Sequence, residues 1–142
     1  MAEQLEVTVN LTNQKVQFTG VSRSNPSITF DYDPPLGDGQ GYTGLEMLLM
    51  SLAACSATSI VALLRNMNKS ISGFKVNGKG IRRDEHPTSF QKIFLEYILN
   101  SKDAEDKHFQ KAIQLSEETY CPVWAMVKNN VEVVTEHKII AS

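Results

Sequence analysis

Thr43-Gly44-Leu45-Glu46-Met47-Leu48-Leu49-Met50-Ser51-Leu52-Ala53-Ala54-Cys55-Ser56-Ala57-Thr58-Ser59-Ile60-Val61-Ala62-Leu63-Leu64 is the stretch whose reading decides the fold. Thr43 and Glu46 have the spacing of a capping box, each able to satisfy a backbone N–H of the other. From Met47 to Leu64 there is no charge. The spacing predicts one helix from Thr43 to about Asn66–Asn68, roughly 35 Å long at ~1.5 Å per residue. The uncharged run approaches the ~20 residues of a membrane span. It also carries Ser51, Ser56, Thr58 and Ser59 and many small residues, and the sequence around it reads as strands and helices. The expectation is therefore no membrane, and a helix buried on all sides.

Strands flank this helix. Leu5, Val7, Val9 and Leu11 alternate with polar residues, as in a half-buried strand, and Val16 and Phe18 continue after a turn at Thr12-Asn13-Gln14. Residues 4–19 thus read as a hairpin, with Ile28 and Phe30 on a third strand. The Pro34–Gly44 stretch, rich in glycine, reads as a hinge-like entry to the helix and lacks the Lys and Ser/Thr of a phosphate-binding loop. Phe74, Val76 and the residues Phe90–Leu99 give two more strands. A second helix, capped by Ser101 or Asp103, carries Phe109, Ala112, Ile113 and Leu115 on one side. Val131, Val133 and Val134 mark a last strand. The order β-β-β-α-β-β-α-β describes an α+β domain with mainly antiparallel sheet, one domain over residues 1–142. So short a chain has little material to cover a long apolar helix, and a homodimer that buries it between subunits is the simplest remedy.

The chain has 142 residues, 42% hydrophobic and 21% charged, with a net charge of −2. That balance allows one ordinary core and offers no basic face for nucleic acid. Met1-Ala2-Glu3-Gln4 has no secretory pattern, so the expected compartment is the cytoplasm, where structural disulfides are rare. His86, His108 and His137 have no metal-like spacing.

The two cysteines carry the chemistry. Pro122 favours the first position of a helix, which makes Cys121 its N-cap. There it faces free N–H groups and the positive end of the dipole, so Cys121 is the thiol that local physics makes more acidic. Cys55 lies in mid-helix, where apolar surroundings raise a thiol pKa; Ser51, Thr58 and Ser59 share its face and could solvate a thiolate weakly. Glu46 stands nine residues before Cys55, about half a turn out of phase at ~100° per residue, which favours its capping role within one chain. A second subunit could bring its Glu46 to the thiol. Lys15 and Arg23 are the only cations before the helix, and Arg82–Arg83 form a doublet. All four read as surface charge. Trp124 reads as a core or interface residue.

The run from Thr43 to Cys55, followed by Tyr120-Cys121-Pro122-Val123, resembles the OsmC/Ohr family of osmotically inducible and organic-hydroperoxide-resistance proteins. The resemblance covers the element series as well as both motifs. It implies an intertwined homodimer with long central helices and active sites at the interface. It implies a thiol peroxidase that reduces organic hydroperoxides in oxidative stress defence. Cys55 would attack the O–O bond and become a sulfenic acid, and Cys121 would resolve it as a disulfide. A dithiol, in the family often a lipoyl group, would restore the pair, with no metal or bound cofactor. Glu46 would belong to the site. Leu45 stands where the best-studied members carry a glutamate ten residues before the cysteine; Glu46 follows one position later, as in a related branch. Those members also pair the thiolate with an arginine, and none lies between Arg23 and Cys55. The alternative reading on the same fold is a non-catalytic small-ligand-binding or interaction protein.

Overall fold

The structure is a computed structural model, and it describes residues 3–141. The chain divides into two compact units, one running to Leu48 and the other starting at Leu49.

The first unit is an antiparallel sheet of β1 (Thr8–Leu11), β2 (Phe18–Val21) and β3 (Ile28–Phe30), in that order. Leu5 and Val7 lie before β1, outside the ladder. Within a single chain Leu5, Val7, Val9 and Leu11 are all exposed, against the expectation of a half-buried strand. The sheet leaves an apolar cleft of about 380 Å³, lined by Val7, Val9, Val21, Ile28 and Phe30 among others. The glycine-rich segment is no loose hinge. The buried Asp31 carboxylate accepts the backbone N–H groups of Tyr32, Asp38 and Gln40 at 2.8, 3.2 and 3.0 Å. The Gln40 N–H is the largest of the influences that hold its pKa below the ordinary value. Gly37 is required there, because a Cβ would sit 2.2 Å from the Tyr32 carbonyl oxygen.

Helix α1 (Gly44–Asn66) begins as the sequence predicts. The Thr43 N–H donates to Glu46 Oε1 at 2.9 Å, and the Glu46 N–H donates to Thr43 Oγ1 at 3.2 Å. It is not buried on all sides within one chain. Only Leu52, Ser56, Ile60 and Leu64 are buried, a single row at four-residue spacing.

In the second unit β4 (Gly73–Arg82) and β5 (Phe90–Asn100) pair antiparallel, and β6 (Glu132–Ile140) pairs parallel to β5 on its other side. The central strand carries most of the core: Ile93, Leu95, Tyr97 and Leu99 are almost fully buried. Helix α2 (Asp106–Leu115) adds Phe109, Ala112 and Ile113. Its N-cap is Glu105, whose N–H donates to His108 Nδ1 at 3.0 Å. Ser101 and Asp103, the expected caps, serve the preceding turn, where Ser101 Oγ accepts from the Asp103 and Ala104 N–H groups. A π-helical turn over Ser116–Tyr120 was not expected; the helical turn expected at Pro122 is the short helix α3 (Pro122–Val127). Trp124 of α3 is buried, settling it as a core residue. His137 of β6 packs edge-on to Phe109 and lies 2.8 Å from Asp106 at the start of α2, tying helix to sheet.

Candidate active site

Cys55 is presented by the middle of α1, half-buried, and Cys121 by the N-terminus of α3, buried. Both belong to the second unit. The route to Cys121 is set by the π-helical turn, whose closing bond runs from the Cys121 N–H to the Ser116 carbonyl at 2.9 Å. Pro122 then fixes the first helical position. Cys121 is the N-cap, as the sequence predicts: its Sγ accepts the Trp124 N–H at 3.4 Å. Cys55, far away in sequence, lies close enough to Cys121 to act on its thiol.

The electrostatics reverse one expectation. Burial pushes the Cys121 thiol above its ordinary pKa and outweighs the Trp124 and Val123 N–H groups that pull it down. The nearby Cys55 pushes it further up. A cap alone gives a thiol few donors, while desolvation acts on the whole charge. Cys121 therefore holds its proton in the presence of Cys55. Among the described residues, the groups that shift Cys121 include no lysine or arginine.

The neighbouring hydroxyls also act differently from expectation. Thr58 Oγ1 donates to the Ala54 carbonyl at 2.8 Å and Ser59 Oγ to the Cys55 carbonyl at 3.1 Å, so neither proton is aimed at the sulfur. Ser56, unremarked in the sequence, sits in the buried row of α1 and joins a network instead. Tyr97 Oη donates to Ser56 Oγ at 3.0 Å, and Ser116 Oγ donates to the Ser56 carbonyl at 3.3 Å. Burial pushes Tyr97 up to about 12, with the charges of Cys121 and Glu117 adding to it. Glu117 is itself raised, chiefly by burial and then by Glu118. The signal for Ser56 was its position in phase with Leu52, Ile60 and Leu64. Ser116 and Tyr97 carried no local signal, since only the fold brings them to Ser56.

Beside Cys55 opens a cleft of about 460 Å³. Thr58, Ser59, Ala62, Leu63 and Asn66 continue its floor along α1, and Tyr120 and Pro122 form its opposite wall. Cys55 thus lines an opening of a size for a small organic molecule, while Cys121 is buried and is not among the residues that line it.

Glu46 remains in the first turn of α1, engaged in the cap with Thr43. Lys15 forms an ion pair with Asp38 at 2.6 Å. Arg82 hydrogen-bonds to Thr88 and Arg83 to the Glu85 carbonyl. Among the described residues no cluster of His, Cys, Asp and Glu has the form of a metal site.

A family model described as OsmC-like protein matches residues 37–136, a segment that includes both cysteines. The chain belongs to the OsmC-like family. It is 30% identical to Protein YhfA of Escherichia coli K12 over 125 residues, covering 88% of this chain and 91% of that protein. A hypothetical protein from Aquifex aeolicus VF5 is similar in structure, with a TM-score of 0.88, 28% identity and 99% of each chain covered. The organic hydroperoxide resistance protein OhrB of Bacillus subtilis shares the fold with a TM-score of 0.67 at 21% identity, covering 96% of this chain and 98% of that one. The OsmC-like fold thus underlies the α+β architecture.

Proposed function

We propose that the protein is a cytoplasmic, homodimeric thiol peroxidase that reduces organic hydroperoxides through Cys55 and Cys121. The observation that carries this reading is a half-buried cysteine lining a cleft, with a buried cysteine close enough for the two thiols to act on one another. Deprotonated Cys55 attacks the terminal oxygen of the hydroperoxide, R–O–OH. The O–O bond breaks, the alkoxide takes a proton from solvent and leaves as the alcohol, and Cys55 becomes a sulfenic acid. Cys121 then attacks that sulfur. The S–OH bond breaks, the thiol proton of Cys121 leaves with the hydroxide as water, and the disulfide forms. A dithiol such as dihydrolipoamide reduces the disulfide by exchange and is itself oxidised to a cyclic disulfide. Glu46, supplied by the partner subunit's α1, would orient the entering peroxide.

Three features support the assignment of roles. The exposed thiol is the one that substrate reaches. The buried thiol keeps its proton until the attacker has been oxidised. The largely apolar walls of the cleft suit an alkyl or aryl hydroperoxide better than a charged one. The exposed apolar side chains of α1, Leu48 and Met50 among them, support burial against a second copy.

The test is turnover. Purified protein with cumene hydroperoxide and dihydrolipoamide should produce one cumyl alcohol per dithiol consumed, at a rate that scales with enzyme. Absence of peroxide-dependent dithiol oxidation overturns the reading. It would favour the non-catalytic alternative, a small-ligand-binding or interaction protein.

A further inference from the structure

Ser56 and Ser116 are buried to 0% and 1% exposure in surroundings where alanine would fill the same space without a polar atom. A buried hydroxyl is costly unless bonded, so its partners identify what it holds. Ser56 follows Cys55 directly. Its Oγ donates to the Ala53 carbonyl at 3.1 Å, a bond within its own helix, and accepts from Tyr97 Oη on the central strand. Ser116 makes no such local bond: its hydroxyl crosses to the Ser56 carbonyl on α1. The carbonyl of Ser116 in turn accepts the N–H of Cys121 at 2.9 Å, the bond that closes the π-helical turn. The hydroxyl and the carbonyl of Ser116 therefore link the Ser56 carbonyl, one residue beyond Cys55, to the backbone N–H of Cys121.

This arrangement does more than hold two helices together. A disulfide forms only when the two Cβ atoms approach to about 3.8 Å with a restricted dihedral angle. Ser116 bonds to the backbone of Cys121 and to that of Ser56, the residue next to Cys55, where a shift of about 1 Å would change closure up to a hundredfold. A satisfied buried network keeps one arrangement among several that an apolar contact would tolerate. Single-turn π segments recur at functional sites, and here the segment delivers the N–H of a cysteine.

We propose that Ser116, backed by Ser56 and Tyr97, is a positioning residue that sets the approach of the Cys121 sulfur to Cys55 and so governs disulfide closure. The proposal rests on the pair being a redox couple; it does not need peroxide to be the oxidant. In the closure step the Cys55 sulfenic acid and the Cys121 thiol give the disulfide and water. When closure is slow, a second peroxide molecule instead takes the sulfenic acid to the sulfinic acid, and leaves as alcohol.

The experiment compares full-length wild type, Ser116→Ala and Tyr97→Phe, with circular dichroism to establish that each is folded. Each protein is equilibrated in a dithiothreitol redox buffer, and the fraction of Cys55–Cys121 disulfide is measured. Each is then given stoichiometric cumene hydroperoxide with dimedone present, and the dimedone adduct on Cys55 is quantified by mass spectrometry. For Ser116→Ala the expected result is first-thiol oxidation within about twofold of wild type, closure slowed by about tenfold or more, and a matching rise in adduct. Tyr97→Phe should shift the same partition in the same direction, and it serves alone if Ser116→Ala does not fold. Wild-type closure and wild-type buffer equilibrium in a folded variant would overturn the proposal, as would a wild-type protein that forms no such disulfide in the buffer. A wild-type disulfide that forms in the buffer but not with peroxide would overturn the peroxidase reading and leave this proposal standing, provided the variants then differ in the buffer.

Discussion

Cys121 caps helix α3 close to Cys55, and burial, with Cys55 adding to it, raises the Cys121 thiol above its ordinary pKa. Burial decides this against the two backbone donors of α3. In the proposed function the half-buried thiol reacts first and the buried thiol waits protonated. The consequences can be separated by experiment.

The two cysteines should fail in different ways. Cys55→Ser should abolish peroxide reduction, because no other sulfur lines the cleft. Cys121→Ser should still consume one equivalent of peroxide but accumulate the sulfenic acid, seen as a dimedone adduct and then as the sulfinic acid. Equal loss of the first oxidation step in both variants would contradict the assigned order.

Alkylation should follow exposure and charge. At near-neutral pH iodoacetamide should label Cys55 well before Cys121, which is 3% exposed and shifted upward. Peptide mapping after partial alkylation reads the order, and first labelling of Cys121 would refute it.

Alkali should destabilise the fold through two raised groups. Cys121 and Tyr97 bind their protons more tightly folded than unfolded. Their stability contribution is complete below the ordinary thiol value of ~8.5 and is lost as pH rises through the folded values. For Tyr97 that window runs from 10.0 to about 12. Urea midpoints measured from about pH 8 to 11 should fall, and Tyr97→Phe should flatten the upper part of the decline. Near neutral pH the same variant should cost about 1 kcal/mol for the lost bond to Ser56. A midpoint unchanged across that range would rule out both shifts.

Glu46 has two separable duties. Thr43→Ala should lower stability by about 1 kcal/mol by removing half of the capping box. Glu46→Gln retains an acceptor for the Thr43 N–H and should leave the melting temperature nearly unchanged. If turnover nonetheless falls in Glu46→Gln, the carboxylate acts in the site; if turnover is intact, Glu46 is a cap alone.

The apolar surface of α1 should be covered by a second copy. Sedimentation equilibrium should give twice the chain mass of 15.8 kDa, and Met50→Glu should shift the balance toward monomer. A monomer at micromolar concentration in the wild type would contradict the dimer.

Periodicity and local chemistry made much of the architecture legible. The Thr43/Glu46 box, the end of α1 at Asn66, the strands around Ile28, Phe74 and Phe94, and Cys121 as N-cap were all readable, because each depends on residues close in sequence. What depends on distant partners was not. The parallel pairing of β6, the bonds from Tyr97 and Ser116 to Ser56, and the burial that raises the Cys121 thiol exist only in the folded chain. The cap of α2 was misplaced because Ser101 and Asp103 are capping types by composition, while the helix begins beyond Glu105. The hinge reading missed that one carboxylate, Asp31, could organise a glycine-rich loop through three N–H groups.

The central claim is that Cys55 and Cys121 form a peroxide-oxidised couple, and a single-turnover thiol count tests it most directly. Fully reduced protein receives one equivalent of cumene hydroperoxide, free thiols are titrated, and the linkage is mapped by mass spectrometry under non-reducing conditions. The account predicts loss of both thiols and one Cys55–Cys121 disulfide within each chain. Survival of both thiols in excess peroxide, or oxidation of Cys55 with no link to Cys121, would contradict it.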